Sequence, residues 1–342
     1  MMRTLRLACA LAAASLLAAS GADGAPRLEH QTLRIAGGIV EIFLDPRLGA
    51  VVRGGHDGFI RVRAWPLSVW PVAASKVRRP EPARRAAMLP DGAVSEGRRN
   101  IRAAWLTGPT GRYAHSALGD GVEASGLAAE DAFGRVTELR LSEEAVFEDR
   151  FARIVDVDGD GRDEILAVKS YLDRGAALAA FELTRAALRP FAESEPVGAA
   201  NRWLNPVGAA DFDGDGRVEV AAVRTPHIGG VLTLYRLDDG ALTEVARYPG
   251  FSNHRMGSRR LGLSAIADFD GDGIADIAAP SADRQALRIV SLAGGRLAEL
   301  ARFESARGPI VTDILAIDLT RDGRPDLVYG TEEGFLGAVF HR

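Results

Sequence analysis

The sequence predicts an all-β fold made of repeated units, and three observations lead to this prediction. A nine-residue acidic block recurs at Asp156–Glu164, Asp211–Glu219, Asp268–Asp276 and Asp318–Asp326, with first aspartates 55, 57 and 50 residues apart. A short apolar run of strand length follows each block, which indicates one β-rich unit repeated in tandem. The 342 residues include 38 glycines and 6% aromatic residues, a composition that suits a large β domain with many turns.

Each unit is predicted to form a four-stranded antiparallel blade of a β-propeller. In the second unit, strands are expected at 206–210, 218–223, 230–237 and 242–248, with the acidic block between the first two. Small residues dominate the first two strands, and larger alternating residues dominate the outer two. This gradient is typical of a propeller blade, whose inner strands crowd near the axis. Strand lengths and turn spacing favour the propeller over a sandwich.

The acidic blocks also set the boundaries of the blades in the second half of the chain. Complete units are predicted at 151–193, 205–248 and 260–303. The last unit, 311–342, has room for three strands only. Residues 31–36 are therefore expected to supply its fourth strand and to close the ring by joining the two chain ends.

The first third of the chain is predicted to hold more divergent blades. Residues 113–126 align with a repeat that has lost its carboxylates. Residues 38–107 are expected to form the most divergent blade, with a Pro/Arg-rich insertion at about 64–99. This gives six blades within a single domain at 26–342, and a seventh blade hidden in 38–107 remains an alternative.

The four acidic blocks are predicted to be calcium loops. Side chains at positions 1, 3, 5 and 9 and the carbonyl at position 7 offer oxygen ligands, and a glycine at position 6 permits the sharp turn. Oxygen ligands in a flexible loop favour Ca²⁺ over Mg²⁺, which demands octahedral geometry, and over Zn²⁺, which takes nitrogen and sulfur. The predicted ligands are Asp156, Asp158, Asp160, Arg162 and Glu164; Asp211, Asp213, Asp215, Arg217 and Glu219; Asp268, Asp270, Asp272, Ile274 and Asp276; and Asp318, Thr320, Asp322, Arg324 and Asp326.

The acidic blocks have two alternative interpretations. An EF-hand needs a bidentate acid at position 12 and flanking helices, whereas position 12 is Ala167, Ala222, Ala279 or Tyr329 and the flanks have β character. Acidic turns without a metal are the other alternative, because Asp and Gly are ordinary turn residues. Three full copies at regular spacing favour calcium. The fourth loop is expected to bind more weakly, since Thr320 replaces the carboxylate at position 3.

These blocks resemble the calcium loops of FG-GAP/VCBS repeats, the units of integrin-α-type propellers. The resemblance extends from about Asp156 to the C-terminus and fades upstream. The first third is similar to uncharacterised secreted bacterial members of that group, in segments such as 104–115 and 201–206. The resemblance implies a β-propeller fold and bound Ca²⁺, and it implies no substrate.

The N-terminus is predicted to be a signal peptide at residues 1–22. Arg3 and Arg6 precede an apolar Ala/Leu stretch, and small residues follow, with cleavage expected between about 22 and 25. The only cysteine, Cys9, lies inside this segment, so the mature protein is expected to have no disulfide. We therefore expect a periplasmic or secreted protein. The net charge of −4 does not indicate nucleic-acid binding, and no other stretch approaches the ~18 apolar residues of a membrane span.

A ligand face is predicted opposite the calcium loops. Connections in a four-stranded blade alternate between two faces, so between-blade loops and loops joining strands two and three emerge together. Those loops are rich in Arg, His, Asn and Trp, and loops on a rigid scaffold commonly carry function. Trp203 packing between blades and hydrogen-bonded turn histidines are the structural alternatives. The predicted ligand-binding residues are Arg202, Trp203, Asn205, His227, Asn253, His254 and Arg255.

The expected function is binding or interaction, with a glycan, a protein or a small anionic ligand as partner. The alternative is a propeller hydrolase or lyase that uses the His/Arg rim on a phosphoester or polysaccharide. A scaffold without a ligand is a third possibility. The sequence contains no G-x-S-x-G, H-E-x-x-H or P-loop motif, and we therefore predict no catalytic residues.

Overall fold

The structure is a computed structural model that describes residues 28–56, 58–64, 66–79 and 83–341. The predicted signal peptide, with Cys9, lies outside the described residues. The described chain is almost entirely β, with three short 3₁₀ turns at Ala74–Lys76, Ser116–Leu118 and Ala293–Gly295. Within these ranges, no helix has both the length and the apolar character needed to cross a membrane.

The strands follow one another with short connections through most of the chain. In chain order they are β1 (Leu28–Arg34), β2 (Ile39–Asp45), β3 (Gly49–Gly54), β4 (Phe59–Arg63), β5 (Ser68–Val72), β6 (Ser95–Glu96), β7 (Ile101–Thr110), β8 (Glu123–Asp131), β9 (Val136–Arg140), β10 (Ala145–Phe147), β11 (Arg153–Val155), β12 (Glu164–Tyr171), β13 (Gly175–Leu183), β14 (Leu188–Glu193), β15 (Leu204–Ala210), β16 (Glu219–Arg224), β17 (Val231–Asp238), β18 (Ala241–Pro249), β19 (Ala265–Ala267), β20 (Asp276–Pro280), β21 (Ala286–Ser291), β22 (Ala298–Glu304), β23 (Leu315–Ile317), β24 (Asp326–Gly330) and β25 (Phe335–His341).

These strands form six antiparallel four-stranded blades, which confirms the prediction of a blade-based β-propeller. Blade 1 is β2–β5, blade 4 is β15–β18 and blade 5 is β19–β22, each a separate sheet. Blade 2 is β6–β9 and blade 3 is β11–β14. The short strand β10 pairs with both β8 and β12, and so links blades 2 and 3 into one nine-stranded sheet.

Blade 6 is completed by the N-terminal strand. Its order is β23, β24, β25 and β1, with Leu28 opposite His341 and Arg34 opposite Phe335. The prediction that an N-terminal strand fills this blade is confirmed, although the strand begins three residues earlier than expected. A hydrogen bond of 2.8 Å between His30 Nε2 and the Tyr329 hydroxyl ties β1 to the second strand of the blade.

The interpretation of residues 113–126 as a degenerate acidic loop is wrong. In blade 2 the first two strands are joined by residues 97–100, and 113–126 connect the second strand to the third and run into β8. The Gly119–Gly121 stretch resembles a metal loop in composition, but Gly119 caps a 3₁₀ turn with a left-handed φ of +98°. Residues 68–72, inside the expected insertion, form the outer strand of blade 1.

The hydrophobic core lies between consecutive blades. One buried cluster joins blades 2 and 3, and others join blades 3 and 4, 4 and 5, 5 and 6, and 6 and 1. Inner-strand residues such as Ala221 and Ala222 are fully buried. Small side chains allow the inner strands of neighbouring blades to approach closely, and this packing fixes the position of each loop on the two faces.

Candidate metal loops and the opposite face

Each acidic block joins the first strand of its blade to the second, in blades 3, 4, 5 and 6. The first aspartate of the block shapes the turn. Asp156 accepts hydrogen bonds from the backbone N–H groups of Gly159 at 2.8 Å and Gly161 at 3.0 Å. Gly161 has a φ of +87°, which favours glycine at position 6. The corresponding bonds recur at Asp211, Asp268 and Asp318.

The acid at position 9 is the first residue of the second strand and is buried. Glu164 accepts a hydrogen bond of 2.9 Å from the backbone N–H of Val157 through one carboxylate oxygen. The second oxygen is then left for another partner. The same bond is made to the acids at position 9 of the other three loops, at Glu219, Asp276 and Asp326.

In blades 3, 4 and 5 the acids at positions 1, 3 and 9 converge. Each such acid offers a carboxylate oxygen that lies within 4.8 Å of the other two. This spacing suits several oxygens around one hard cation. The three groups are Asp156, Asp158 and Glu164; Asp211, Asp213 and Glu219; and Asp268, Asp270 and Asp276.

The remaining predicted ligands lie on the same loops but outside these groups. The acids at position 5 each accept a hydrogen bond from the backbone N–H two residues on, as Asp160 does from Arg162 at 2.7 Å. At position 7 the side chains of Arg162 and Arg217 bond to the backbone carbonyls of Leu183 and Leu237, away from the carboxylates. Only the main-chain carbonyl at position 7 is therefore a candidate ligand.

Burial raises the pKa of the acids at position 9. Burial raises the pKa of Glu164 from 4.5 to about 7, and neighbouring loop aspartates add to the shift. Burial likewise raises the pKa of Asp276 from 3.8 to about 7. Asp276 Oδ1 and Asp326 Oδ1 are buried and have no hydrogen-bond partner among the described residues. An all-oxygen donor set with buried, unsatisfied oxygens fits Ca²⁺.

The loop of blade 6 is a poorer match. No group of three converging acids is found there in the described chain. Thr320 donates a hydrogen bond of 3.2 Å from its hydroxyl to Asp326 Oδ2, so the residue at position 3 is engaged with an acid of its own loop. The orphaned Asp326 Oδ1 still offers one ligand oxygen.

The loop of blade 4 differs because a guanidinium enters it, which the sequence analysis did not anticipate. Arg236, on the third strand, pairs with Asp213 at 2.6 Å, with Asp215 at 3.1 Å and with Glu219. Burial acts to raise the pKa of Asp213, but the hydrogen bond and charge of Arg236, together with hydrogen bonds from Asp215, outweigh burial and lower it. In the blade 5 loop, burial raises the pKa of the equivalent Asp270.

An arginine also approaches the loop of blade 3, in a different manner. Arg99 comes from the loop of the preceding blade, and its Nη1 lies 2.6 Å from Asp156 Oδ2 and 3.3 Å from Asp163. Its side chain is half exposed and pairs with one of the three converging acids, Asp156. Glu164, the buried acid of this group, pairs with no arginine in the described part of the chain.

On the opposite face, three of the predicted ligand residues form one aromatic cluster. Trp203 lies at the end of β15 remote from its acidic loop, about 20 Å away for a seven-residue strand. Its ring stacks on His227 with centroids 5.9 Å apart and meets the edge of His254 at 4.8 Å. The buried Trp203 Nε1 donates to the Glu148 carbonyl at 3.0 Å. Trp203 therefore anchors two histidine rings.

The hydrogen bonds of these histidines define their tautomers. His254 Nε2 is 2.9 Å from the Ser258 carbonyl, which only accepts, so this nitrogen carries the proton. Burial lowers the pKa of His254 to about 3 and that of His227 to about 4, so both rings are neutral at pH 7. His254 Nδ1 therefore accepts the 2.8 Å bond from His227 Nε2. His227 Nδ1 is left as an acceptor.

Two other predicted ligand residues are buried between blades 4 and 5. Asn205 donates to the Asn253 carbonyl at 3.1 Å, and Asn253 donates back to the Asn205 carbonyl at 3.1 Å. Asn205 also donates to the Leu261 carbonyl. Both asparagines have zero exposure. Their side chains therefore join the two blades and do not reach solvent.

The predicted arginines lie on the exposed side of this cluster. Arg202 is exposed, and its guanidinium has no partner in the described part of the chain. Arg255 is also exposed and pairs with Glu332 at 3.5 Å. It lines a separate cavity of about 480 Å³ that also includes Arg260 and Glu332.

His115, which was outside the predicted ligand set, completes a small cavity with Arg202 and His227. The cavity has a volume of about 20 Å³, enough for about one water molecule or hydroxyl group, and is lined by His115, Asn201, Arg202, Trp203, Thr225, His227, Ile228 and Met256. His115 Nδ1 lies 2.5 Å from the buried carboxylate of Glu148, which orients the ring. His115 is a single histidine in the connection between the second and third strands of blade 2. No local sequence pattern predicts that it lies beside Arg202 and His227.

Two residues of this cavity have an uncommon backbone. Asn201 and Thr225 adopt left-handed conformations, with φ values of +58° and +47°. Such a conformation is costly for a β-branched residue such as Thr225, and strain of this kind clusters at functional sites. The cavity is the place where the polar, strained and exposed features of this face meet.

A comparison with known protein families finds repeats in the part of the chain that contains these loops. The model of the FG-GAP-like repeat matches the chain three times, at residues 156–222, 211–279 and 268–329. No curated protein matches the chain. The three matches cover residues 156–329, slightly more than half of the chain, and include the loops of blades 3 to 6. The chain belongs to the family of FG-GAP repeat proteins.

Proposed function

We propose that this protein is an exported, calcium-binding β-propeller that acts as a binding module for a glycan, a protein or a small anionic ligand. The FG-GAP repeats support a propeller-type interaction module. Export is supported by the basic and apolar pattern of residues 1–22, which is typical of a signal peptide. A periplasmic or secreted location also suits calcium loops of modest affinity, about 10⁻⁴–10⁻³ M for extracellular modules.

Calcium in this proposal is structural. It would neutralise the converging carboxylates and hold the turn between the first and second strands of a blade. The support is the all-oxygen donor set, together with the buried Asp276 oxygen that has no partner within the described chain. The best-suited ligands are Asp156, Asp158 and Glu164 in blade 3 and Asp268, Asp270 and Asp276 in blade 5.

The ligand-binding part of the proposal is carried by one observation. Arg202, an exposed arginine without a partner among the described residues, lines the same cavity as His115 and His227. Arginine grips carboxylates and phosphates through two parallel hydrogen bonds. His227 Nδ1 can accept a hydrogen bond from a hydroxyl group, and the exposed Ile228 and Met256 offer an apolar rim. This combination favours a ligand that carries both an acidic group and hydroxyls, such as an acidic sugar.

The test uses D-glucuronate as the probe and the neutral methyl β-D-glucoside as its control. Each is titrated into calcium-loaded protein while the ring ¹⁵N–¹H signals of His115 and His227 are followed by NMR. We expect both rings to respond to glucuronate more strongly than to the glucoside. Arg202→Gln should abolish this preference. The matched variant Arg185→Gln, an exposed arginine on a hairpin between β13 and β14, should leave it intact.

Three results would contradict this ligand site. Histidine signals that respond to neither probe would exclude an acidic sugar at the cavity. An equal response to both probes would exclude recognition of the acidic group. An equal loss in Arg202→Gln and Arg185→Gln would show that the effect comes from net charge and not from the cavity.

A further inference from the structure

Arg236 places a positive charge among the carboxylates of the blade 4 loop. It lies on β17 directly across from Glu219, the acid at position 9. Its Nη2 is 2.6 Å from Asp213 Oδ2, its Nη1 is 3.1 Å from Asp215 Oδ2, and its Nε is 2.6 Å from Glu219 Oε1. The arginine side chain is only 16% exposed. One guanidinium therefore pairs with three of the four loop acids that calcium would need.

In the other three loops the residue at this position of the third strand is acidic or uncharged. The strand registers place Glu182 across from the acid at position 9 in blade 3, Ser291 in blade 5 and Phe340 in blade 6. Glu182 is engaged with Arg189 at 2.8 Å. Blades 3, 4 and 5 have nearly identical loop sequences, so the difference between these three loops comes from the third strand of the blade.

A guanidinium and Ca²⁺ cannot occupy the same carboxylates together. For calcium to reach Glu219 and Asp213, Arg236 must leave, and its charge would then lie close to a divalent cation. Two positive charges a few ångströms apart at a partly buried site repel each other strongly, because solvent and salt screen them little there. The number and charge of ligands that are free to bind is what sets calcium affinity in loops of this kind.

We propose that Arg236 is the resident cation of the blade 4 loop. Arg236 keeps the loop acids paired when calcium is absent. It therefore makes this loop the weakest calcium binder of the three with converging acids. This inference rests on the proposed binding of calcium by blades 3 and 5. The propeller thus has two kinds of acidic loop, one that depends on the metal and one neutralised by the protein itself.

The test compares Arg236→Gln with Arg247→Gln in the full-length mature protein. Arg247 belongs to the same blade, on β18, but its exposed side chain pairs with Glu244, which lies outside the loop, at 3.3 Å. Calcium is titrated by calorimetry, and thermal unfolding is followed in a chelator. We expect Arg236→Gln to gain one calcium site or to tighten one by roughly tenfold or more. In chelator it should melt below the wild type, because three acids lose their counter-charge.

The site that responds is identified by adding Asp211→Asn to Arg236→Gln, which should remove the gained calcium. Arg247→Gln should match the wild type in both measurements. If Arg236→Gln and Arg247→Gln bind calcium alike, the competition is overturned, even if Arg236→Gln melts early. Calcium binding by the wild type is measured in the same titration. That measurement tests separately the proposal that blades 3 and 5 bind calcium.

Discussion

At the scale of single residues, the acid at position 9 determines which partner each acidic loop needs. It is buried at the start of the second strand, and one of its oxygens is committed to a backbone N–H group. The second oxygen requires a proton, a metal ion or an arginine, because an ionised carboxylate is costly to bury alone. Burial raises the pKa of Glu164, Asp276 and Glu219, and the hydrogen bond and charge of Arg236 oppose that rise at Glu219.

The raised pKa values predict how stability depends on pH when calcium is absent. In the folded state Glu164 and Asp276 hold a proton up to a pKa of about 7, against 4.5 and 3.8 for the ordinary groups. The folded state thus binds more protons than the unfolded chain over this range, so stability falls as the pH rises from about 4 to about 7. Calcium, which binds the ionised form, should remove this fall.

The measurement is the urea midpoint of unfolding across this pH range, in chelator and in calcium. Glu164→Gln, which mimics the protonated acid, should reduce the fall in chelator, whereas the exposed control Glu195→Gln should not. A chelator midpoint that rises steadily between pH 4 and 7 would mean that these acids have another counter-charge.

The convergence of the loop acids could be predicted from the sequence, but their partners across the sheet could not. The spacing of acids and glycines alone identified Asp156, Asp158 and Glu164 as neighbours, because all three lie within nine residues. Arg236 is 17 residues from Glu219 and meets it only through strand pairing. His115 and His227 are brought together by blade packing. Contacts between blades leave no local pattern in a single sequence.

At the scale of elements, the unit is a loop with the hairpin that carries it. The strands of blade 4 were predicted to within about two residues, since turn residues and apolar alternation mark their ends. Blade 2 was misread, because its loop between the first two strands lacks acids while its connection between the second and third strands contains Asp120 between glycines. Acidic turn composition identifies a metal loop only where the strand order is also known.

The four loops should differ in calcium affinity in an order set by their ligands. Asp158→Ala and Asp270→Ala should each lose calcium binding in titration calorimetry, since each removes a charged oxygen at position 3. Thr320→Ala should change binding little, because a hydroxyl is a weaker ligand and adds no charge. Thr320→Asp should strengthen the blade 6 loop. An equal or larger loss from Thr320→Ala than from Asp270→Ala would contradict this order.

At the scale of the whole molecule, the acidic loops lie on one face and the Trp203 cluster lies on the other. Cores shared by neighbouring blades, together with the β1 strand in blade 6, make the position of each loop depend on the blades beside it. A metal ion that fixes one loop therefore stabilises the packing of more than one blade. We expect calcium to stabilise this propeller through its FG-GAP loops.

Thermal unfolding of the mature protein in ~1 mM calcium and in excess chelator tests that claim most directly. At a dissociation constant of ~10⁻⁴ M, each site that binds only the folded state adds about 1.4 kcal/mol. Two to three such sites should raise the melting temperature by roughly 4–6 °C for a domain of this size. Magnesium at the same concentration should have a much smaller effect. Identical melting temperatures in calcium and in chelator would contradict the account.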